Sequence, residues 1–281
     1  MDQKIIFLVK QALREDIPEV DVTSRAIFGK KGEHATANIL AKQNLVVSGL
    51  DVAACVFKTM SQKTKISFSR RNGDVVKKGS VLAKISGNIS DILASERVAL
   101  NFLQHLSGVA TLTNHFVEKV KPYRVRILDT RKTTPGLRLL EKRAVVHGGG
   151  FNHRMSLSDM HLIKDNHIFA CGDLQLAVKK IQDYEKKNSK GKKRLIEVEA
   201  DYLPQVREAF EAGADIVLLD NMTLAQIRKA VTLVKGQCLL EVSGGVNLKN
   251  VRKFAATGVS RISIGALTHS APAVDISLEI S

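Results

Sequence analysis

Two hydrophobic patterns divide the chain. Beyond residue 124, short apolar runs recur at Val125–Leu128, Met160–Asp165, Leu195–Glu199, Asp215–Asp220, Cys238–Gly245 and Arg261–Gly265. Between the later runs, apolar residues fall at helical spacing in Leu174–Tyr184, Leu203–Ala212, Leu224–Val234 and Leu248–Thr257. Short apolar strands alternating with amphipathic helices predict parallel βα units. Six strands in succession favour a barrel over an open sheet.

The first hundred residues read differently. Ile5, Ile6, Leu8, Val9, Ala12 and Leu13 predict a helix that Pro18 ends, and Asp21-Val22-Thr23-Ser24 reads as a turn or helix cap. Thr36–Gly49 alternates apolar and polar residues, and Asp51–Met60 predicts a short helix. Lys65–Gly87 predicts a hairpin turning at Asn72-Gly73. Its Gly73–Gly79 segment is superficially similar to biotinyl and lipoyl carrier hairpins. It lacks a lysine in a Met-Lys-Met or Asp-Lys-Ala setting, so a small sheet domain is the better reading. Ser90–Leu106 predicts a strong helix, with Ile92, Leu93, Val98, Ala99, Phe102, Leu103 and Leu106 as its buried side. Arg97, Asn101, Gln104 and His105 recur on another face, and Val109–Val120 marks a further helix. The change of pattern places a domain boundary near residue 106, giving domains 1–106 and 107–266. The tail 267–281 is expected to return to the first domain.

Composition narrows the function. A hydrophobic content of 44% and a charged content of 25% are ordinary for a soluble globular protein. No apolar run approaches the roughly 18–20 residues of a membrane span, and the N-terminus lacks the apolar core of a secretion signal. Three cysteines (Cys55, Cys171 and Cys238), odd in number and far apart, form no disulfide framework or CxxC pair; a reducing cytoplasm is the expected location. The net charge of +15 fits either nucleic acid or small anionic substrates as the partner. An aromatic content of 5% without tryptophan argues against a single-strand binder, which needs stacking platforms. The densest basic run, Glu185–Arg194, reads as a solvated loop.

Candidate chemistry gathers where the later strands end. Val125–Leu128 opens into Asp129-Thr130-Arg131-Lys132-Thr133-Thr134-Pro135-Gly136-Leu137-Arg138, rich in cations and hydroxyls and suited to gripping an anion. The other strands end at Lys164, Glu199, Asp220, Ser243-Gly244-Gly245 and Gly265-Ala266, which a barrel would bring to one mouth. Glu199 and Asp220 suit sugar hydroxyls or Mg²⁺ held through water. Gly244 and Gly265 let backbone N–H groups approach a phosphate, with a helix N-terminus expected behind the first. His147–Met155 (HGGGFNHRM) has no zinc-ligand spacing and reads as an anion clamp. A Schiff-base lyase using Lys132 or Lys164 is a rival reading.

The motifs DTRKTTPGLR, GGGFNHR, LIKDNH, EVE, LLDN, EVSGG and GALTHS, in this order, resemble the quinolinate phosphoribosyltransferase family. Weaker similarity, as in SERVALNFLQHLSG, covers nearly the whole chain. The resemblance implies an N-terminal α/β sandwich and an incomplete, TIM-like α/β barrel. It also implies a homodimer in which one sandwich caps the partner's barrel. The implied reaction joins quinolinate to 5-phosphoribosyl 1-pyrophosphate, with Mg²⁺ as cofactor, and yields nicotinate mononucleotide, pyrophosphate and CO₂. By similarity, Arg131, His153, Arg154 and Lys164 would hold quinolinate, with Arg97 contributed by the neighbouring subunit, and Thr130 is a further implied substrate-binding residue. Lys132 would bridge to the donor, and Glu199 and Asp220 would bind its ribose and the Mg²⁺-pyrophosphate side. Ser243, Gly244, Gly245, Ile264, Gly265 and Ala266 would take its 5-phosphate. Lys132, Lys164, Glu199 and Asp220 are the implied catalytic residues. A nicotinate phosphoribosyltransferase is the nearest rival, and the full cation set favours a dicarboxylate.

Overall fold

In the computed structural model, which describes residues 2–29, 32–188, 191 and 193–281, the chain begins with helices α1 (Gln3–Asp16) and α2 (Val22–Phe28). Strands β1 (His34–Ala41) and β2 (Leu45–Val46), helix α3 (Leu50–Met60), and strands β3 (Lys65–Phe68), β4 (Val75–Val76) and β5 (Val81–Asn88) follow. Then come α4 (Ile89–Val120), β6 (Arg126–Leu128), α5 (Arg138–His147), β7 (His161–Ile163), α6 (Asp165–Cys171), α7 (Leu174–Asn188) and β8 (Ile196–Ala200). The remainder is α8 (Leu203–Glu211), β9 (Ile216–Asp220), α9 (Leu224–Val234), β10 (Leu239–Ser243), α10 (Val251–Ala255), β11 (Arg261–Ser263), α11 (Ala266–His269) and β12 (Ile276–Ile280). None of the described helices is long and apolar enough to cross a membrane.

Two compact units result. The first comprises residues 1–114, 134–149 and 267–281, and the second residues 115–133 and 150–266. The sequence pattern broke near residue 106, but α4 continues through that point as one helix. In the first unit, α1 is capped by Asp2, whose carboxylate accepts from Lys4 N at 2.8 Å, and it buries Ile5, Val9 and Leu13 on one stripe. Asp21 is a true cap, accepting from Thr23 N and Ser24 N at the start of α2. The main sheet is antiparallel in the order β12-β1-β5-β3, with Ala37 opposite both Ile280 and Ile85.

The expected hairpin over Lys65–Gly87 is a split one. β3 pairs with β5, while β4 loops out to pair with β2. Asn72 explains the detour: its side chain accepts from Gly49 N and Leu50 N at 3.0 and 3.1 Å and donates to Asp51 at 3.0 Å. The turn is thus tied to the start of α3, rather than closing a simple two-strand ribbon.

The second unit holds a six-stranded parallel sheet in the order β6-β11-β10-β9-β8-β7. The first strand, β6, pairs with the last, β11, so the sheet curls round and stays open only between β6 and β7. This is the incomplete barrel. Phe151 partly fills the gap: its N–H donates to Ile127 O at 2.8 Å and its carbonyl accepts from Asp129 N at 3.2 Å. Ile196, Val198, Val217, Leu219, Leu240, Val242 and Ile262 are buried on one shared face of the sheet, which is a dry apolar layer. The basic run Glu185–Arg194 is not all solvated loop. α7 extends to Asn188, and Glu185 is buried against Arg194 (3.0 Å) and His161 (2.9 Å). Residues 189, 190 and 192 of that run lie outside those described.

Candidate active site

Parallel register sets the site. Ser243 lies opposite Asp220 where β10 and β9 end, and Ile163 lies opposite Val198 where β7 meets β8. The next residues along, Lys164 and Glu199, are therefore neighbours. Lys164 Nζ donates to Glu199 Oε2 at 2.5 Å, with the lysine half-exposed and the carboxylate mostly buried. Directly after β6, the buried Asp129 is followed by a tight turn. Lys132 N donates to Thr130 Oγ1 at 3.0 Å and Thr133 N to Arg131 O at 3.0 Å. Thr130, Arg131, Lys132, Lys164, Glu199, Asp220 and Ser243 thus share the carboxyl edge of one sheet. Arg97 belongs to the first unit, where it is exposed on α4.

The glycine turn after β10 differs from expectation. Gly244 and Gly245 take φ values of +91° and +62°, which favour glycine. Helix α10 starts only at Val251 and runs for five residues, so no helix N-terminus stands directly behind the glycines. Asparagines shape the turn instead. Asn250 Nδ2 donates to Gly245 O at 2.9 Å, Asn247 N to Asn250 Oδ1 at 2.7 Å, and Lys249 N to Asn247 Oδ1 at 2.9 Å. Asn221 sits beside Gly244 and donates through Nδ2 to Asp220 Oδ2 at 2.8 Å. At the next strand end, Ile264 N donates to Leu128 O at 2.9 Å, fixing the backbone that leads to Gly265 and Ala266.

Beneath this edge lies a buried polar cluster. The His153 backbone N–H donates to Asp129 Oδ1 at 2.9 Å, anchoring the GGGFNHR segment to β6. Its Nε2 lies 3.0 Å from Glu197 Oε2 and 3.3 Å from Glu241 Oε1, at ion-pair distance, and both carboxylates are wholly buried. Arg261 Nε approaches Glu241 Oε2 at 3.6 Å. Burial opposes a charged imidazole, but the two glutamates outweigh it, and the three groups titrate as a unit with His153 raised to about 9. Burial above all, and then the charge of Glu241, raises Glu197 against the pull of His153. Both shifts say that the cluster retains a proton across neutrality. Since His153 Nδ1 accepts the Arg154 N–H at 2.8 Å, the ring carries a single proton, on Nε2, and the additional proton of the cluster lies with the carboxylates. Arg154 is itself lowered by burial and by the neighbouring Arg131 charge.

Sequence reading passed over Glu197, Glu241 and Arg261. The signal was period-two alternation: Glu197 precedes Glu199, and Glu241 precedes Ser243, by two residues and so shares its face. Cys238 is no nucleophile, since burial pushes its thiol up to about 11.

Fold and edge chemistry together define an incomplete parallel α/β barrel whose strand ends carry cations beside carboxylates, a class suited to polyanionic substrates. Known proteins narrow it further. The N-terminal domain model of quinolinate phosphoribosyl transferase matches residues 21–107, and its C-terminal domain model matches residues 109–279. The chain is 40% identical over 274 residues to a probable nicotinate-nucleotide pyrophosphorylase (carboxylating) of Bacillus subtilis, covering 98% of this chain and 92% of the relative. It is 42% identical over 289 residues to the chloroplastic nicotinate-nucleotide pyrophosphorylase (carboxylating) of Arabidopsis thaliana, covering 97% and 82%. The nicotinate-nucleotide pyrophosphorylase structure from Francisella tularensis superimposes with a TM-score of 0.93 at 37% identity, covering 99% of this chain and 96% of that one. The chain belongs to the quinolinate phosphoribosyltransferase family.

Proposed function

We propose that this chain transfers the phosphoribosyl group of 5-phosphoribosyl 1-pyrophosphate to the ring nitrogen of quinolinate, with loss of pyrophosphate and CO₂, giving nicotinate mononucleotide for NAD synthesis. The observation that carries this reading is the shared strand edge, where Arg131, Lys132 and Lys164 stand with Glu199 and Asp220. A planar dicarboxylate needs several fixed cations, and Arg131, Arg154 and Lys164 supply forked and point charges for it. Arg97 of the partner subunit adds the last cation in a homodimer with shared sites. Lys132 spans to the donor, and the Ser243-Gly244-Gly245 and Ile264-Gly265-Ala266 backbones take its 5-phosphate.

Departure of pyrophosphate leaves positive charge at the anomeric carbon, which Glu199 and Asp220 stabilise by proximity. The pyridine nitrogen then attacks; the adjacent carboxylate leaves as CO₂, its electron pair stays on the ring carbon beside the positive nitrogen that stabilises it, and a proton from water takes that position. Mg²⁺ fits the pair Glu199 and Asp220 because it binds through one or two carboxylates together with substrate phosphates. Neither residue belongs to a ready-made ligand group of three among the described residues, and Lys164 already engages one Glu199 oxygen. When bound, Mg²⁺ would neutralise pyrophosphate charge. The lack of a membrane-crossing helix among the described residues and the unpaired cysteines accord with a cytoplasmic location.

Incubation with quinolinate, phosphoribosyl pyrophosphate and Mg²⁺, followed by chromatography for nicotinate mononucleotide, tests the reading, with nicotinic acid as parallel acceptor. Product from quinolinate alone is expected. Product from nicotinic acid alone would move the chain to the neighbouring activity.

A further inference from the structure

We propose that Glu197 and Glu241 are positioning residues for substrate recognition, acting through the His153 ring as a strut that fixes Arg154. The proposal rests on the reading of Arg154 as a holder of the substrate carboxylates. The backbone N–H and both ring nitrogens of His153 have partners inside the protein: the N–H reaches Asp129 Oδ1 at 2.9 Å, Nδ1 accepts Arg154 N–H at 2.8 Å, and Nε2 faces the two carboxylates at 3.0 and 3.3 Å. A ring so engaged has no nitrogen to offer a ligand without breaking one of these contacts. Its place in the fold is that of a rod running from the carboxylates on β8 and β10 to the Arg154 amide.

The hydrogen-bond pattern also decides what the glutamates hold. His153 Nε2 and the two carboxylates are spaced as three metal ligands could be, all within 4.8 Å of one another. An imidazole bound to a metal through Nε2 carries its proton on Nδ1 and could not accept the Arg154 N–H. The ring therefore has its proton on Nε2, directed at the carboxylates, and the glutamates hold a histidine. Burying both carboxylates here is costly for the barrel, since their oxygens lack well-aligned hydrogen bonds and apolar side chains would pack the same space. Orienting the ring gives that expense a purpose. A shift of the ring would move the Arg154 backbone, and misplacement by about 1 Å costs on the order of 100-fold in a positioned site.

The test compares Glu241→Gln, Glu197→Gln and Arg154→Ala in steady-state kinetics with both substrates varied. We expect each glutamine variant to raise the KM for quinolinate at least tenfold while the KM for phosphoribosyl pyrophosphate stays within twofold. Equal rises in both constants, or no rise for quinolinate, would overturn the strut. If Arg154→Ala leaves the quinolinate KM unchanged, the reading of Arg154 fails and the proposal goes with it. If Arg154→Ala raises it and neither glutamine variant does, only the strut fails. Nitrogen-15 NMR of histidine-labelled wild type gives an answer independent of variant folding. His153 should show an unprotonated Nδ1 and a protonated Nε2 at neutral pH, and a protonated Nδ1 would refute the arrangement.

Discussion

Replacing Gly244 by alanine should damage the donor side of the site out of proportion to the one methyl added. At φ +91° an alanine is strained by about 1–2 kcal/mol. Its Cβ would stand 2.1 Å from Asn221 Oδ1, 2.6 Å from Asn221 Cγ and 3.1 Å from Asn221 N. Asn221 cannot retreat freely: it sits at φ +51°, its N–H donates to Ser243 O at 3.1 Å, and its Nδ2 holds Asp220 Oδ2 at 2.8 Å. Moving it sacrifices a hydrogen bond to a carboxylate, about 1.5–3 kcal/mol. Gly245 is the matched control, with φ +62° and nothing within 4 Å of an added Cβ, so Gly245→Ala incurs only the backbone strain. Gly244→Ala should therefore lose about 3 kcal/mol, lowering Tm by roughly 6–12 °C, while Gly245→Ala loses about half as much. Because Asp220 loses its partner, the KM for phosphoribosyl pyrophosphate should rise at least tenfold in Gly244→Ala. Calorimetry and initial-rate kinetics on both variants suffice. Equal Tm and equal KM for the two would refute the Asn221 linkage.

Three further outcomes follow from the same contacts. Glu141 is fully buried on α5 and accepts from Thr134 N (3.0 Å) and His105 Nε2 (2.9 Å), so Glu141→Ala should cost about 3 kcal/mol in denaturant unfolding. Lys164→Ala should cut kcat/KM for quinolinate at least 100-fold, with the folded-state circular dichroism unchanged, because Lys164 is half-exposed and its loss leaves only Glu199 without its partner. The His153–Glu197–Glu241 cluster titrates as a unit with His153 raised from 6.5 to about 9, so its contribution is complete below pH 6.5 and is lost as pH rises through 9. The raised Glu197 acts in the same sense. Stability should accordingly fall by at most about 3 kcal/mol across that window in wild type, and by less in Glu241→Gln.

The parallel strands were legible because each is an apolar run that stops at a polar residue, and the edge residues were legible because those stops carry the charges. What lay hidden had opposite patterning. Helix α5 buries Glu141 and Lys142 alongside Leu140 and Val145, so its inward face does not read as apolar. Helix α6 buries none of its side chains and offers no periodicity at all. Glu197 and Glu241 interrupt apolar strands at inward positions, where a charged residue by itself reads as solvent-facing and only its spacing of two from Glu199 or Ser243 says otherwise. The pairing of β4 with β2 depends on Asn72 reaching α3, a long-range contact that local turn chemistry does not encode. The use of a glycine at Gly244 was readable, but its asparagine support was not, because it comes from Asn221 after β9 as well as from Asn250 ahead of α10.

The central claim, coupled phosphoribosyl transfer and decarboxylation, is tested most directly with quinolinate labelled with carbon-14 in its 2-carboxyl group. Released ¹⁴CO₂, pyrophosphate and nicotinate mononucleotide are measured in one reaction. The account predicts equal amounts of all three, each absent when phosphoribosyl pyrophosphate is omitted. Labelled CO₂ without pyrophosphate, or pyrophosphate and a mononucleotide that retains the label, would contradict it.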